Sequence, residues 1–82
     1  MQSVADRVRS FIVDDLGWEG EADDLTDDLP LIQAGALDSL GILTLVEFLE
    51  SSYDITVEDG DIVPAHLGSL ANIERYVRSK KS

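Results

Sequence analysis

The sequence predicts an all-α fold: a four-helix bundle with three longer helices, one short third helix and a long first loop. Three observations predict it. Apolar residues recur at helical spacing in three separate stretches. Ser3, Asp38 and Ser69 stand where those stretches begin, as capping residues do. The 82 residues allow a single domain with one modest core, since a chain of this size buries only about 60–65% of its unfolded surface.

The first helix is expected over 3–16. Val4, Val8, Phe11, Ile12 and Leu16 share one face. Ser3 followed by Asp6 forms a weak capping box, and Gly17 is a natural stop. Residues 17–38 read as a long acidic loop punctuated by Gly17, Gly20, Pro30 and Gly35. Trp18, Leu25, Leu29, Leu31, Ile32 and Leu37 would anchor it over the core. Asp28 and Pro30 favour a turn around Leu29, and one helical turn is expected at Leu31–Ala34.

The second helix is expected over 38–52, with Asp38 as N-cap and Ser39 in the first turn. Ile42, Leu45, Val46, Leu49 and Tyr53 fall within roughly 100° of arc, the core stripe. Leu40 lies well off that stripe, Leu43 at its edge and Phe48 on its far side. A contact patch accounts for such outlying apolar residues, with Phe48 alternatively packing on the loop. Ile55 and Val57 suggest a short extended segment. A brief third helix is expected over 59–64, ended by Pro64. The fourth, over 69–79, carries Leu70, Ile73 and Val77 inward. Ala71 allows close approach, and Arg75, Arg78, Lys80 and Lys81 sit toward its carboxyl end, where cations suit the helix dipole.

Seventeen acidic residues against six basic ones leave a net charge of −11. That balance excludes nucleic acid, whose affinity is dominated by phosphate neutralisation. It favours partners with basic surfaces, reached by electrostatic steering. Cysteine is absent, so neither disulfides nor thiolate metal sites are available. The amino-terminal residues lack a signal-peptide core, and no run approaches the ~20 apolar residues of a membrane span. A soluble, cytoplasmic monomer is expected.

Most chemical motifs fail on inspection. Aligning Gly60 with the invariant glycine of an EF-hand puts Ile55, Val57 and His66 at ligand positions, so only Asp59 fits. His66 is the only histidine, with no ligand set around it and no nucleophile elbow to serve. It reads as a surface or packing residue. No glycine-rich phosphate loop exists.

Ser39 is different. Its null role is that of a first-turn serine beside an aspartate cap. Yet a helix amino terminus offers unpaired N–H groups and the positive end of the dipole, which stabilise an attached phosphate. An unactivated hydroxyl is a poor nucleophile. A separate enzyme would therefore have to install a phosphodiester there.

At "LDSL" (37–40) the chain resembles the acyl carrier proteins, a group that includes aminoacyl and peptidyl carriers. The resemblance extends back through "DDLPLIQAGA", forward through "GILTLVEFLESSYDI", and on through "IVPAHLGSLANIERYV". It implies a non-catalytic carrier. A phosphopantetheinyl transferase would attach 4′-phosphopantetheine from coenzyme A to Ser39, and the arm's thiol would hold an acyl or aminoacyl group as a thioester. Asp38 would help position the serine and the metal-bound donor, with Leu40 beside it. Leu40, Leu43, Thr44, Glu47 and Glu50 would form the surface that partners read, and Ile42, Val46, Leu49 and Ile62 would line any acyl pocket.

The chain departs from the fatty-acid-synthesis pattern. Gly41 and Thr44 stand where those carriers usually show acidic residues, and Glu47 where an apolar one is common. The departure points to a free-standing carrier in a specialised secondary-metabolite or modified fatty acid pathway, served by a loading ligase and by downstream acyl-transferring or modifying enzymes. An aminoacyl or D-alanyl carrier loaded by an adenylating ligase is the alternative. A peptidyl carrier fits less well, because histidine more often precedes the serine there. An unmodified acidic interaction module is the remote alternative.

Overall fold

A computed structural model describes residues 3–81. Among these, the chain forms four α-helices and no strand: α1 (Val4–Asp14), α2 (Ser39–Tyr53), α3 (Pro64–Leu67) and α4 (Leu70–Lys81). α1 starts because the Ser3 hydroxyl accepts the Asp6 N–H at 3.1 Å, satisfying one of the first-turn donors. It ends at Asp14, and Gly17 turns the chain with φ of 74°, a conformation that suits glycine.

α1 packs chiefly on α4. Val8 and Ile12 meet Ile73, Leu70 and Val77 in a core where all five are fully excluded from solvent. Leu45 and Leu49 bring α2 to the same core. The Phe11 and Phe48 rings stack with centroids 4.4 Å apart, so Phe48 closes the α1–α2 seam instead of packing on the loop. Arg7 lies over both Phe48 and Tyr53, 5.9 and 5.1 Å from the ring centroids.

The long loop is laid over the core and pinned at several points. Leu25, Leu31 and Leu37 are buried, whereas Ile32 is exposed. The Leu31 N–H donates to the Gly68 carbonyl at 2.8 Å, and the Ala71 N–H to that of Asp27 at 3.0 Å. Arg9 completes the attachment. Its guanidinium donates to the Leu25 carbonyl and pairs with Asp6 and Asp27, at 2.7 to 2.9 Å. Ala22–Asp24 adds a 3-10 turn, and 31–35 form hydrogen-bonded turns, with Ala34 bonded back to Pro30.

The third helix differs from expectation. Instead of a helix over 59–64, Asp59–Asp61 form a 3-10 turn and Pro64 opens α3. Proline lacks only an N–H that a first helical turn leaves unpaired, and its φ is already helical. Pro64 therefore starts this helix and does not stop it. Residues 55–58 carry no regular structure, so the extended segment near Ile55 and Val57 pairs with nothing as a strand. Ser69 caps α4, accepting the Asn72 N–H at 3.1 Å.

Candidate functional site

The amino end of α2 is built from its cap outward. Asp38 is extended, and its carboxylate accepts the Gly41 N–H at 2.7 Å. Ile42 donates to the Asp38 carbonyl at 2.8 Å. Ser39 and Leu40 thus hold the remaining donors of the first turn. Leu37, almost fully buried, anchors the residue before the cap, and its N–H bonds to the Leu31 carbonyl at 3.2 Å. Ser39 sits exposed beyond that anchor, on a helix whose start is fixed by packing.

Gly41 is structural. It is buried, and a Cβ there would lie 3.1 Å from Asp38 Oδ1, 3.6 Å from Leu16 Cδ1 and 3.7 Å from Leu37 Cδ2. The glycine lets the start of α2 sit close against Leu16 and Leu37, with the cap carboxylate tight beside it. Packing thus accounts for a residue that the sequence marks only as a departure from an acidic pattern.

Leu40 and Leu43 are 75% and 56% exposed, a large outlay of apolar surface on a helix that buries its other face. Glu47 is exposed beside them, and so is Thr44, whose hydroxyl donates to the Leu40 carbonyl at 3.0 Å. Glu50 is otherwise engaged. It is half-buried, and its carboxylate accepts the Val57 N–H at 2.9 Å, tying down the segment after α2. Of the four residues expected to line a pocket, Leu49 and Val46 are buried in the core, while Ile42 and Ile62 pack at its edge.

No side chain acts as a base on Ser39 among the described contacts. His66 stands in a different cluster, its ring 4.9 Å from Tyr76 and its Nε2 4.0 Å from Asp61. Tyr76 is buried, and its hydroxyl donates to Asp61 at 2.8 Å. Burial first, then the Asp61 bond, pushes its pKa to about 12. The helical stripe of α4 does not single out Tyr76, because its polar partner lies fifteen residues away in sequence. Nor did sequence patterning reveal the Arg9 clamp.

Two clefts open beside the site. One of about 240 Å³ is walled by Asp38, Leu40, Gly41 and Thr44 of α2's amino end, together with Asp15, Leu16, Gly35 and Ala36. The other, of about 430 Å³, runs from Leu16 and Ala36 to Trp18 and Gly20. Their only advance signal was the density of Gly and Ala in the loop. Among the described residues no cluster of His, Cys, Asp and Glu could hold a metal ion, and no helix is long and apolar enough to cross a membrane.

The geometry suits one chemical task. An exposed, unactivated hydroxyl beside unpaired N–H groups accepts a phosphodiester made by another enzyme. The open cleft walled by its neighbours Asp38 and Leu40 leaves such a group unhindered. The residues present therefore fit a covalently attached phosphate-linked arm.

The comparisons with known proteins agree with that chemistry. The family model described as the phosphopantetheine attachment site matches residues 6–77. The chain is also 37% identical over 75 residues to the acyl carrier protein of Akkermansia muciniphila, covering 92% of this chain and 89% of that one. Such carriers are not enzymes; they work with a phosphopantetheinyl transferase and with the enzymes that use their cargo. The chain therefore belongs to the acyl carrier protein family, non-catalytic carriers whose prosthetic group is 4′-phosphopantetheine.

Proposed function

We propose that Ser39 is the residue that bears the 4′-phosphopantetheine arm, and that the exposed face of α2 presents it to partner enzymes. The exposed serine on the first turn of a capped helix carries this reading. When bound, the arm supplies a thiol on which an acyl group is held as a thioester. Asp38 orients the first turn through its bond to Gly41. The N–H groups and dipole of that turn then offset the phosphate's charge. Leu40 and Leu43 supply apolar area for partners to bury, and Glu47 supplies a rim charge that steers a basic surface. The carboxylate of Glu50 is less available, since it already holds Val57.

Tethering is the function itself. A cargo confined to an arm reaches a docked active site at an effective concentration of about millimolar, without any new contact. The scarcity of acidic residues along α2, with Gly41 and Thr44 at its start, supports service in a specialised pathway with its own loading ligase. An aminoacyl cargo is the second reading; the packed state of Leu49 and Val46 favours a cargo that does not enter the core.

Incubation with coenzyme A and a broad-specificity phosphopantetheinyl transferase should add one phosphopantetheinyl mass to the protein. Ser39→Ala should add none while folding normally. A wild-type mass unchanged by several transferases would refute the assignment and leave an unmodified interaction module. Where the mass gain is seen, the intact mass of the natively produced protein identifies the cargo class.

A further inference from the structure

The cleft at the start of α2 and the one running to Trp18 share Leu16, Gly35 and Ala36, so they adjoin and together make one trough. It begins at the residues flanking Ser39 and ends at the Trp18 indole. Resting on the assignment of Ser39 above, we propose that this trough is an intramolecular docking site for the pantetheine part of the arm, with Trp18 as its far wall.

The trough's composition favours an amide-bearing chain over a plain aliphatic one. Gly17, Gly20 and Gly35 contribute bare backbone, and nothing lies within 4 Å of where a Cβ would stand on Gly17 or Gly35. Leu16, Trp18, Gly35 and Ala36 already donate their N–H groups within the chain, so the bare backbone of Gly17 and Gly20 would meet the two amides of pantetheine, and Leu16 would offer apolar contact for its geminal methyls. Asp15, Asp38 and Glu19 belong to the lining, so the neutral stretch of the arm fits there and its phosphate stays outside, at the helix end.

Trp18 is built as a fixed wall. Its indole N–H donates to the Glu21 carbonyl at 3.0 Å, and its ring lies against Gly20, where a Cβ would come within 3.1 Å. The occupant follows from continuity: the trough opens beside the attachment point, so the tethered arm meets it before any diffusing ligand. Weak contacts suffice, because tethering replaces a bimolecular event by an intramolecular one. Docking there would shelter the thiol or thioester from solvent between partner visits.

Trp18 is the only tryptophan, so its fluorescence reads the trough directly. The experiment compares the unmodified protein with protein carrying the arm, the attachment verified by intact mass. With tethering at about millimolar effective concentration and a site of similar affinity, acrylamide quenching of Trp18 should fall by about two-fold on arm attachment. Ala34, exposed on the trough's edge, gives the blocking variant: Ala34→Phe, loaded to the same mass, should quench as the unmodified form does. Nuclear Overhauser contacts between the arm's methyls and Leu16 or Trp18 should appear in the loaded wild type. Full loading with unchanged quenching and no such contacts overturns the trough but leaves Ser39 as the attachment point. Failure to gain mass overturns both.

Discussion

Placing a methyl group on Gly41 tests the architecture of the site directly, because two effects of similar size oppose each other there. In an α-helix, Gly→Ala gains about 0.8–1.0 kcal/mol of intrinsic propensity. The new Cβ would make ordinary contacts with Leu16 and Leu37 at 3.6 and 3.7 Å, but it would stand 3.1 Å from Asp38 Oδ1. That oxygen holds the Gly41 N–H at 2.7 Å and must give by a few tenths of an ångström, which weakens the cap by at most its whole worth. Losing an aspartate cap costs about 1 kcal/mol. Gly41→Ala alone should therefore change stability little. In an Asp38→Ala background the cap is already gone, and the same substitution should stabilise by about 1 kcal/mol. The measurement is a double-mutant cycle from urea unfolding followed by circular dichroism. In a thermal melt of a domain of this size, the same difference would appear as about 4–8 °C in Tm. If Gly41→Ala acts equally in both backgrounds, to within about 0.3 kcal/mol, the cap carboxylate does not occupy the space over Gly41.

Further outcomes follow from other contacts. Arg9→Met should cost about 1–2 kcal/mol, because it leaves the Leu25 carbonyl without its donor and frees two carboxylates; amide exchange should quicken across 22–28. The same variant should return the Asp6 pKa, which the Arg9 guanidinium holds below its ordinary value, toward the usual aspartate range in an NMR titration. A depressed carboxylate pKa favours the folded state above the unfolded value and loses that benefit as pH falls through the folded one. Tyr76→Phe should cost about 1 kcal/mol through the lost Asp61 bond. In the wild type, Tyr76 should ionise near pH 12, visible as late tyrosinate absorbance; its stabilising contribution is complete below about pH 10 and lost as pH climbs to the folded value. Tyr53→Phe should be neutral or stabilising by up to about 1 kcal/mol in urea melts, because the buried Tyr53 hydroxyl has no hydrogen-bond partner among the described residues.

Helical periodicity and capping are local, so one strand of sequence suffices to determine them. The spacing of Leu45, Val46 and Leu49 marks the inward face of α2, and that is why Leu40 could be placed outside it and Leu43 at its edge. Ser3, Asp38 and Ser69 cap as their side chains and positions require, each bonding the N–H of the third residue of its helix. The serine beside the second cap was legible for the same reason.

Pro64 shows where locality ends. Proline is excluded from a helix interior but suits a first turn, and only the fold shows that the helix lies after Pro64 and not before it. Phe48 was equally ambiguous until α1 brought Phe11 to meet it. Glu50's bond to Val57, Arg9's hold on Leu25 and the pairing of Tyr76 with Asp61 each join separate segments of the chain. The trough from Ser39's flanks to Trp18 arises only where the end of α1, the loop and the start of α2 converge. Residue pattern along the chain determines which faces are apolar and where helices begin. Which of those faces meet, and what space is left between them, is settled by packing the whole chain at once.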